Sequence, residues 1–438
     1  MVEEFLELTN TEELITILEK YISPKLFADQ EKVILEEAKD RILAETLKAG
    51  EDLPPFSRSA VDGYAARAED TFGANPNMPV YLQVKKEIKM GKSPDFSLSP
   101  GQVAAIPTGG MLPEEADCCI MIEDTEEIRE GQIEVMAALA PGENVIKKGD
   151  DIKAEEILLP AGKKLAAAGI GALAGLGIAR VPVFSQPEVA IISTGNELIP
   201  PQEERKLGQI RDINSYALAA LLAEWGFKSQ IYGIVKDEKE TLKKAIEESL
   251  DKDLVVLSGG SSVGVKDLTI DTINELGEPG VILHGLAVKP GKPTVLGILC
   301  QKPIIGLPGN PSSALVVASL LIPAILHLGR GLALPEKDEI YQEAITANLA
   351  APIFSDSGRE EFFPVSLSRS YSQEEKKKIN FASPIAGKSN LITTLVNSAG
   401  VVRIPRGHEG LSAGSRVEVI KLTDNKGLLF RKERDNND

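Results

Sequence analysis

The pattern of apolar and polar positions changes character along the chain. Residues 11–50 carry helical stripes, first Leu14, Ile17 and Leu18, then Val33, Leu35 and Ala38, which predict an amphipathic helical packing or dimer element. From Pro79 to Asp151 the pattern is strand and turn. Tyr81–Val84, Gln102–Ile106, Cys119–Ile122 and Ile133–Val135 read as strands of a small β-rich inserted domain. A dense run of Gly and Ala, Ala166 to Ile178, suits close helix packing and is expected to return to the N-terminal helices as one discontinuous domain.

From Pro187 strands and helices alternate. Val189–Ile192, Gln230–Val235, Leu254–Leu257 and Ile304–Leu307 are the predicted strands. The helices are 212–225, 237–250, 267–276 and 314–328, with Asp212, Asp267 and Asn310 as candidate caps. Such alternation predicts a parallel sheet covered on both faces. Beyond Pro335 the strand pattern returns at 343–347, 362–365, 401–405 and 416–420, which predicts a small all-β domain. Asn425 to Asp438 reads as a polar, disordered tail.

Composition narrows the class. At 438 residues the chain exceeds one compact core, and 43% apolar with 26% charged residues is ordinary for a soluble globular protein. The formal charge of −17 argues against nucleic acid or anionic membrane as a partner. It also requires a local positive site for any anionic ligand. Cys118, Cys119 and Cys300 make no C-x-x-C pair or disulfide framework, so a reducing cytoplasm is expected. The apolar stretch Ala314–Leu328 is expected to be short and broken by Pro323, and Leu165–Phe184 is interrupted by Arg180 and Pro182. No membrane span is predicted.

The candidate chemistry centres on 253–313. An apolar run ends at Ser258-Gly259-Gly260-Ser261-Ser262-Val263-Gly264, a lysine loop follows at Val288-Lys289-Pro290-Gly291-Lys292-Pro293, and a second run turns at Pro308-Gly309-Asn310-Pro311-Ser312-Ser313. Strand-to-glycine turns expose backbone N–H groups that suit an anion, and two lysines beside them point to a phosphate or oxyanion. In a parallel sheet, Ser193–Glu197, Ser258–Gly264 and Pro308–Ser313 are expected to meet at one pocket. Scattered His284, His327 and His408 read as structural, and Val265 stands where a Walker A lysine belongs. Asp62, Asp151, Glu197, Asp237 and Asp267 remain as carboxylates near glycine turns. Carboxylates facing a phosphate usually act through a hard cation, which suggests Mg²⁺, with Asp237 and Asp267 as the metal candidates. Each acid taken singly also reads as a cap or a surface charge. An Asp in a tight turn, as at Asp62, commonly bonds its own backbone.

Read together, Ser59-Ala60-Val61-Asp62-Gly63-Tyr64-Ala65, Pro107-Thr108-Gly109-Gly110, Ser193-Thr194-Gly195-Asn196-Glu197-Leu198, Ile210-Arg211-Asp212, the Ser258–Gly264 turn, Lys289-Pro290-Gly291-Lys292-Pro293 and Gly306-Leu307-Pro308-Gly309-Asn310-Pro311 stand in the order seen in molybdopterin molybdenumtransferases. The chain resembles this family, the MoeA type and the E domain of gephyrin, from about Leu14 to Ile420. The resemblance implies a multidomain α/β and β fold in a homodimer. It comprises a discontinuous helical dimerisation domain (1–52 and 152–186), an inserted β-rich domain (53–151) and a central α/β domain with a parallel sheet (187–334). A C-terminal β-barrel-like domain (335–424) and a tail (425–438) complete it.

The implied reaction inserts molybdate, or tungstate, into the dithiolene of adenylylated molybdopterin and releases AMP and molybdenum cofactor with Mg²⁺ present. By motif match, Ser258, Gly259, Gly260, Ser262, Glu197 and Asp267 belong to the pterin-nucleotide pocket. Lys289, Lys292, Pro293 and Ser313 hold the oxyanion with Arg359 and Ser389. Asp62, Thr108 and Asp151 come across the dimer cleft, and Asp62, Thr108, Asp151, Glu197 and Asp267 form the catalytic set. An adenylyltransferase and apo-molybdoenzymes are the implied protein partners. A gephyrin-type scaffold and a molybdopterin adenylyltransferase are the competing readings.

Overall fold

The computed structural model describes residues 8–259, 263–355, 358–372, 377–387, 390–424 and 426–431, with the side chains of 263–267, 372 and 377 excluded. The chain forms two compact units, Met1–Glu31 with Phe184–Asp438, and Lys32–Val183.

The first unit is built on a mixed sheet. In chain order its elements are strand β1 (Glu188–Thr194), helix α1 (Asn214–Glu224), β2 (Lys228–Val235), α2 (Lys239–Ser249), β3 (Leu254–Gly259) and α3 (Val263–Leu276). Then come β4 (Gly280–His284), β5 (Val288–Lys289), β6 (Val295–Leu299), β7 (Lys302–Leu307) and α4 (Pro311–Gly329). The sheet order is β2-β1-β3-β7-β6-β4. The expected parallel core is present in β2, β1, β3 and β7, but β6 runs antiparallel to both neighbours. A tight turn with positive φ at Cys300 and Gln301 joins β6 to β7, and a hairpin can only reverse direction. Val189, Ile191, Leu254 and Val256 face one core with α1 and α4, while Ala190, Ile192, Val255 and Leu257 face another with α2. Burial on both faces explains why these strands read as unbroken apolar runs.

The N-terminal helix Thr11–Tyr21 is closed by a reciprocal capping box between Asn10 and Glu13, and its Leu14 and Leu18 are buried in the core that contains α4. The second helical run expected at Val33–Ala38 does not form. Gln30–Ile34 is a strand and Leu35–Glu37 a single 3-10 turn. Val33 and Ala38 instead pack with Leu43, Leu165, Leu173, Val181 and Val183. β-Branched Val33 and Ile34 fit a strand as well as a stripe, and tertiary packing decided between them.

Helix α4 continues through Pro323 for 19 residues, contrary to the predicted break. It has the length and apolarity of a membrane span, yet 83% of it is buried inside the unit, so it is a core helix. Proline cannot donate to the carbonyl of Ser319, one turn back. That carbonyl accepts instead from the Leu428 N–H at 3.1 Å. Leu428, Leu429 and Phe430 are buried in the same core, so this part of the expected polar tail is packed structure. Residues 425 and 432–438 of that tail lie outside the described residues.

The C-terminal strands are β8 (Ile345–Leu349), β9 (Glu360–Ser372), β10 (Lys377–Pro384), β11 (Gly400–Ile404) and β12 (Arg416–Ile420). They pair as β9-β10-β8-β12-β11, and β11 returns to β9, which closes a five-stranded barrel. Val402 and Val419 point into its interior, while neighbouring Val401 and Ile420 belong to the α/β core. Strand alternation thus serves two cores at once.

In the second unit, a six-stranded sheet is ordered Cys118–Met121, Gly63–Ala66, Gln102–Ile106, Val80–Glu87, Gln132–Val135, Thr125–Arg129. This is the inserted β-rich body that the strand-and-turn pattern predicted. One helix, Ala167–Gly175, packs Leu173 against Val33 and Leu43.

Candidate functional site

The chain leaves β1 through α1 to reach β2 on one side, and returns through α2 to β3 on the other. The point between β1 and β3 is therefore the topological switch of the sheet, where ligands collect at the carboxyl ends. A cavity of ≈680 Å³ opens there. Its walls are Ser193-Thr194-Gly195 and Glu197 after β1, Ser258-Gly259 at the end of β3, and Gly309-Asn310-Pro311 after β7. The three turns singled out in the sequence thus converge in space.

A set of polar contacts holds the turns together. Asn214, only 8% exposed in the first turn of α1, donates from Nδ2 to Ser258 Oγ (2.8 Å) and to the Gly309 carbonyl (2.9 Å). Ser193 and Ser215 hydroxyls meet at 2.8 Å, and Asp212 Oδ1 accepts from the Ser215 N–H. Asp212 thereby tethers the first turn of α1, although the N-cap position falls on Ile213 and not on Asp212 as predicted. Gly259, with φ +126°, has no room for a side chain, since a Cβ would lie 2.0 Å from the Thr194 carbonyl oxygen. Strand β3 can approach β1 this closely only with glycine.

Two carboxylates face the cavity. Asp237 follows β2, and its Oδ1 is buried with no hydrogen-bond partner among the described residues. Burial first, then the charge of Glu197, pushes its carboxyl above the ordinary carboxylate value. An orphaned buried oxygen beside a second carboxylate suits a hard cation that takes one or two carboxylates and completes its shell with phosphate and water. Among the described residues no group of three or more metal-ligating side chains occurs.

Helix α3 begins at Val263, so Asp267 lies inside it and does not cap it, contrary to one of its two readings. The Asp267 side chain lies outside the described residues, as do Gly260, Ser262 and Ser389.

A second cavity, ≈620 Å³, is lined by Lys289, Lys292, Pro293, Ser313 and Arg359. Asn310 and Asn390 line both cavities, so the two adjoin. The lysine loop is held close to α4. Gly291 has φ +130°, and a Cβ there would meet the Val317 side chain at 2.3 Å. Ser313 is buried in the first turn of α4, where helix N–H groups and the macrodipole favour an anion. Asn310 is the N-cap residue, but its side chain makes no capping bond. Strand β5 pairs in parallel with β9, which sets Lys289 opposite Glu361.

Asp62, Thr108 and Asp151 belong to the other unit. The Thr108 N–H donates to Asp62 Oδ1 at 2.7 Å, so Asp62 bonds the backbone of a turn 46 residues away rather than that of its own turn. Asp151 is exposed, with its N–H bonded to the Leu53 carbonyl.

Sequence reasoning missed Asn214, Arg205, Glu361 and Asn390 among the lining residues. Asn214 sits two places beyond the Ile210-Arg211-Asp212 motif, and a polar residue opening an apolar helix was the available signal. Glu361 carried none, because adjacent buried glutamates in a strand make sense only when both faces of that strand are covered.

The chain matches three family models, the MoeA N-terminal region (domain I and II) over 2–177, a probable molybdopterin binding domain over 190–327, and the MoeA C-terminal region (domain IV) over 346–422. It is 35% identical to a putative molybdopterin biosynthesis protein of Methanocaldococcus jannaschii, across 92% of this chain and 96% of that protein. It is 34% identical to a molybdopterin molybdenumtransferase of a Nostoc species, with 91% of each covered. A crystal structure of a molybdopterin biosynthesis MoeA protein from Pyrococcus horikoshii superimposes with a TM-score of 0.77 at 31% identity, covering 94% of this chain and 99% of the other. Full-length similarity, together with switch-point and lysine-loop cavities in one unit, shows that this chain belongs to the MoeA family, the molybdopterin molybdenumtransferases.

Proposed function

We propose that this chain is an enzyme of molybdenum cofactor biosynthesis that inserts molybdate into adenylylated molybdopterin and releases AMP and the molybdenum cofactor. The observation that carries the reading is the pair of adjoining cavities. One is rich in turn N–H groups and hydroxyls, as a nucleotide's phosphates require, and the other is lined by Lys289, Lys292 and Arg359, as a doubly charged oxyanion requires. Asn310 and Asn390 are common to both, and this junction suits a dithiolene that must meet the metal oxide. Tungstate, of nearly the same size and charge, fits the second cavity equally.

Ser258 and Gly259 offer hydroxyl and backbone contacts to the pterin nucleotide, and Asn214 keeps their turn in register with Gly309. Lys289, Lys292, Ser313 and Arg359 hold the oxyanion in the low-dielectric recess, joined by Ser389 through the family match. Asp237 with Glu197 is the seat for Mg²⁺, supported by the orphaned Asp237 oxygen, with Asp267 as the remaining candidate ligand. A hard cation held by these carboxylates would supply charge neutralisation to the substrate's phosphate. Asp62, Thr108 and Asp151 act across the cleft of a homodimer. The enzyme works in the cytoplasm, between an adenylyltransferase that supplies its substrate and the apo-molybdoenzymes that take its product.

The test is molybdate-dependent release of AMP from adenylylated molybdopterin by the purified protein. Lys289→Ala is expected to weaken molybdate by roughly tenfold or more, the scale of one charge-assisted hydrogen bond, with nucleotide affinity within about twofold of wild type. Equal losses for the two ligands, or AMP release indifferent to molybdate, would refute the assignment.

A further inference from the structure

Glu361 is a carboxylate facing a cavity built for an anion, and it is only 5% exposed. Lys289 Nζ lies 3.1 Å from its Oε1 and 3.3 Å from its Oε2. The pair is fixed by the backbone, since Lys289 and Glu361 are register partners in the β5–β9 ladder. Burying a carboxylate is costly even when it is paired, and here it subtracts one charge from the attraction on any anionic ligand. Among the described lining residues, Lys289, Lys292 and Arg359 are cationic and Glu361 alone is anionic. Glu361 thus offsets part of the positive charge that these three cations bring to the recess.

We infer that Glu361 is an affinity-tuning, positioning residue of the oxyanion cavity: it orients Lys289 and lowers the positive charge of the recess, so that a doubly charged tetrahedral oxyanion is held loosely enough to leave. This rests on the oxyanion reading of the second cavity. The physics has a signature that a packing role lacks. Glu361→Gln keeps the shape and an oxygen to accept from Lys289, yet removes one negative charge. Electrostatic repulsion scales with ligand charge, so the logarithm of the affinity gain for a dianion is twice that for a monoanion of the same shape. Molybdate and perrhenate are such a pair.

The experiment titrates each anion alone into the full-length wild-type, Glu361→Gln and Glu361→Asp proteins by calorimetry. The expected result is about tenfold tighter molybdate and about threefold tighter perrhenate for Glu361→Gln, a Coulombic order of magnitude. Glu361→Asp keeps its charge and shows no gain for either anion. Equal changes for both anions, or weaker binding of both in both variants, would overturn the role of Glu361 and leave the oxyanion reading standing. Failure of the wild type to bind molybdate would overturn that reading, and the role of Glu361 with it.

Discussion

Ending the chain after Asp424 is expected to be severely destabilising, although the removed residues look dispensable in sequence. The deletion takes away three large apolar side chains, Leu428, Leu429 and Phe430, that are 0%, 1% and 8% exposed. Each is worth about 1.5–3 kcal/mol in area removed from water, so the loss is about 5–9 kcal/mol as an upper estimate. It also strips the Ser319 carbonyl of its Leu428 N–H, and an unsatisfied buried group costs about 1–3 kcal/mol more. Domains are commonly stable by only about 5–15 kcal/mol, so most of the margin disappears. Leu428→Ala is the graded version, at about 2–5 kcal/mol, which in a unit of this size lowers Tm by roughly 5–15 °C. Thermal unfolding of the three proteins followed by circular dichroism measures it. A truncated protein melting within about 2 °C of full length would refute the claim that this segment completes the core around Pro323.

Two further outcomes test the switch-point cavity. Asn214→Ala should weaken AMP by roughly tenfold, because two buried hydrogen bonds of about 1 kcal/mol each hold the Ser258 and Gly309 turns in register. Calorimetric AMP affinity within twofold of wild type would remove that role. The raised pKa of Asp237 means that its proton must leave before a cation binds. Mg²⁺ affinity should therefore rise with pH through that pKa and level off above it, and should fall on acidification sooner than an ordinary carboxylate requires. Asp237→Asn should remove this pH dependence from the titration, and an unchanged profile would exclude Asp237 as the ligand.

Much of the architecture was legible because its signals are local. Runs such as Leu254–Leu257 and Arg416–Ile420 are strands whatever surrounds them, and a glycine turn after a buried strand has few other uses. The convergence of three such turns followed from strand–helix alternation alone, since right-handed crossovers leave one place for them to meet.

What the sequence by itself determined is the set of strands, the turns that end them and the loop that carries the cations. Tertiary structure decided the rest. It made Gln30–Ile34 a strand, carried α4 through Pro323 with an N–H borrowed from Leu428, and set Glu361 opposite Lys289. In each case the deciding partner lies far along the chain. Periodicity reports which face of an element is apolar, but not which distant group will satisfy its polar atoms or bury that face.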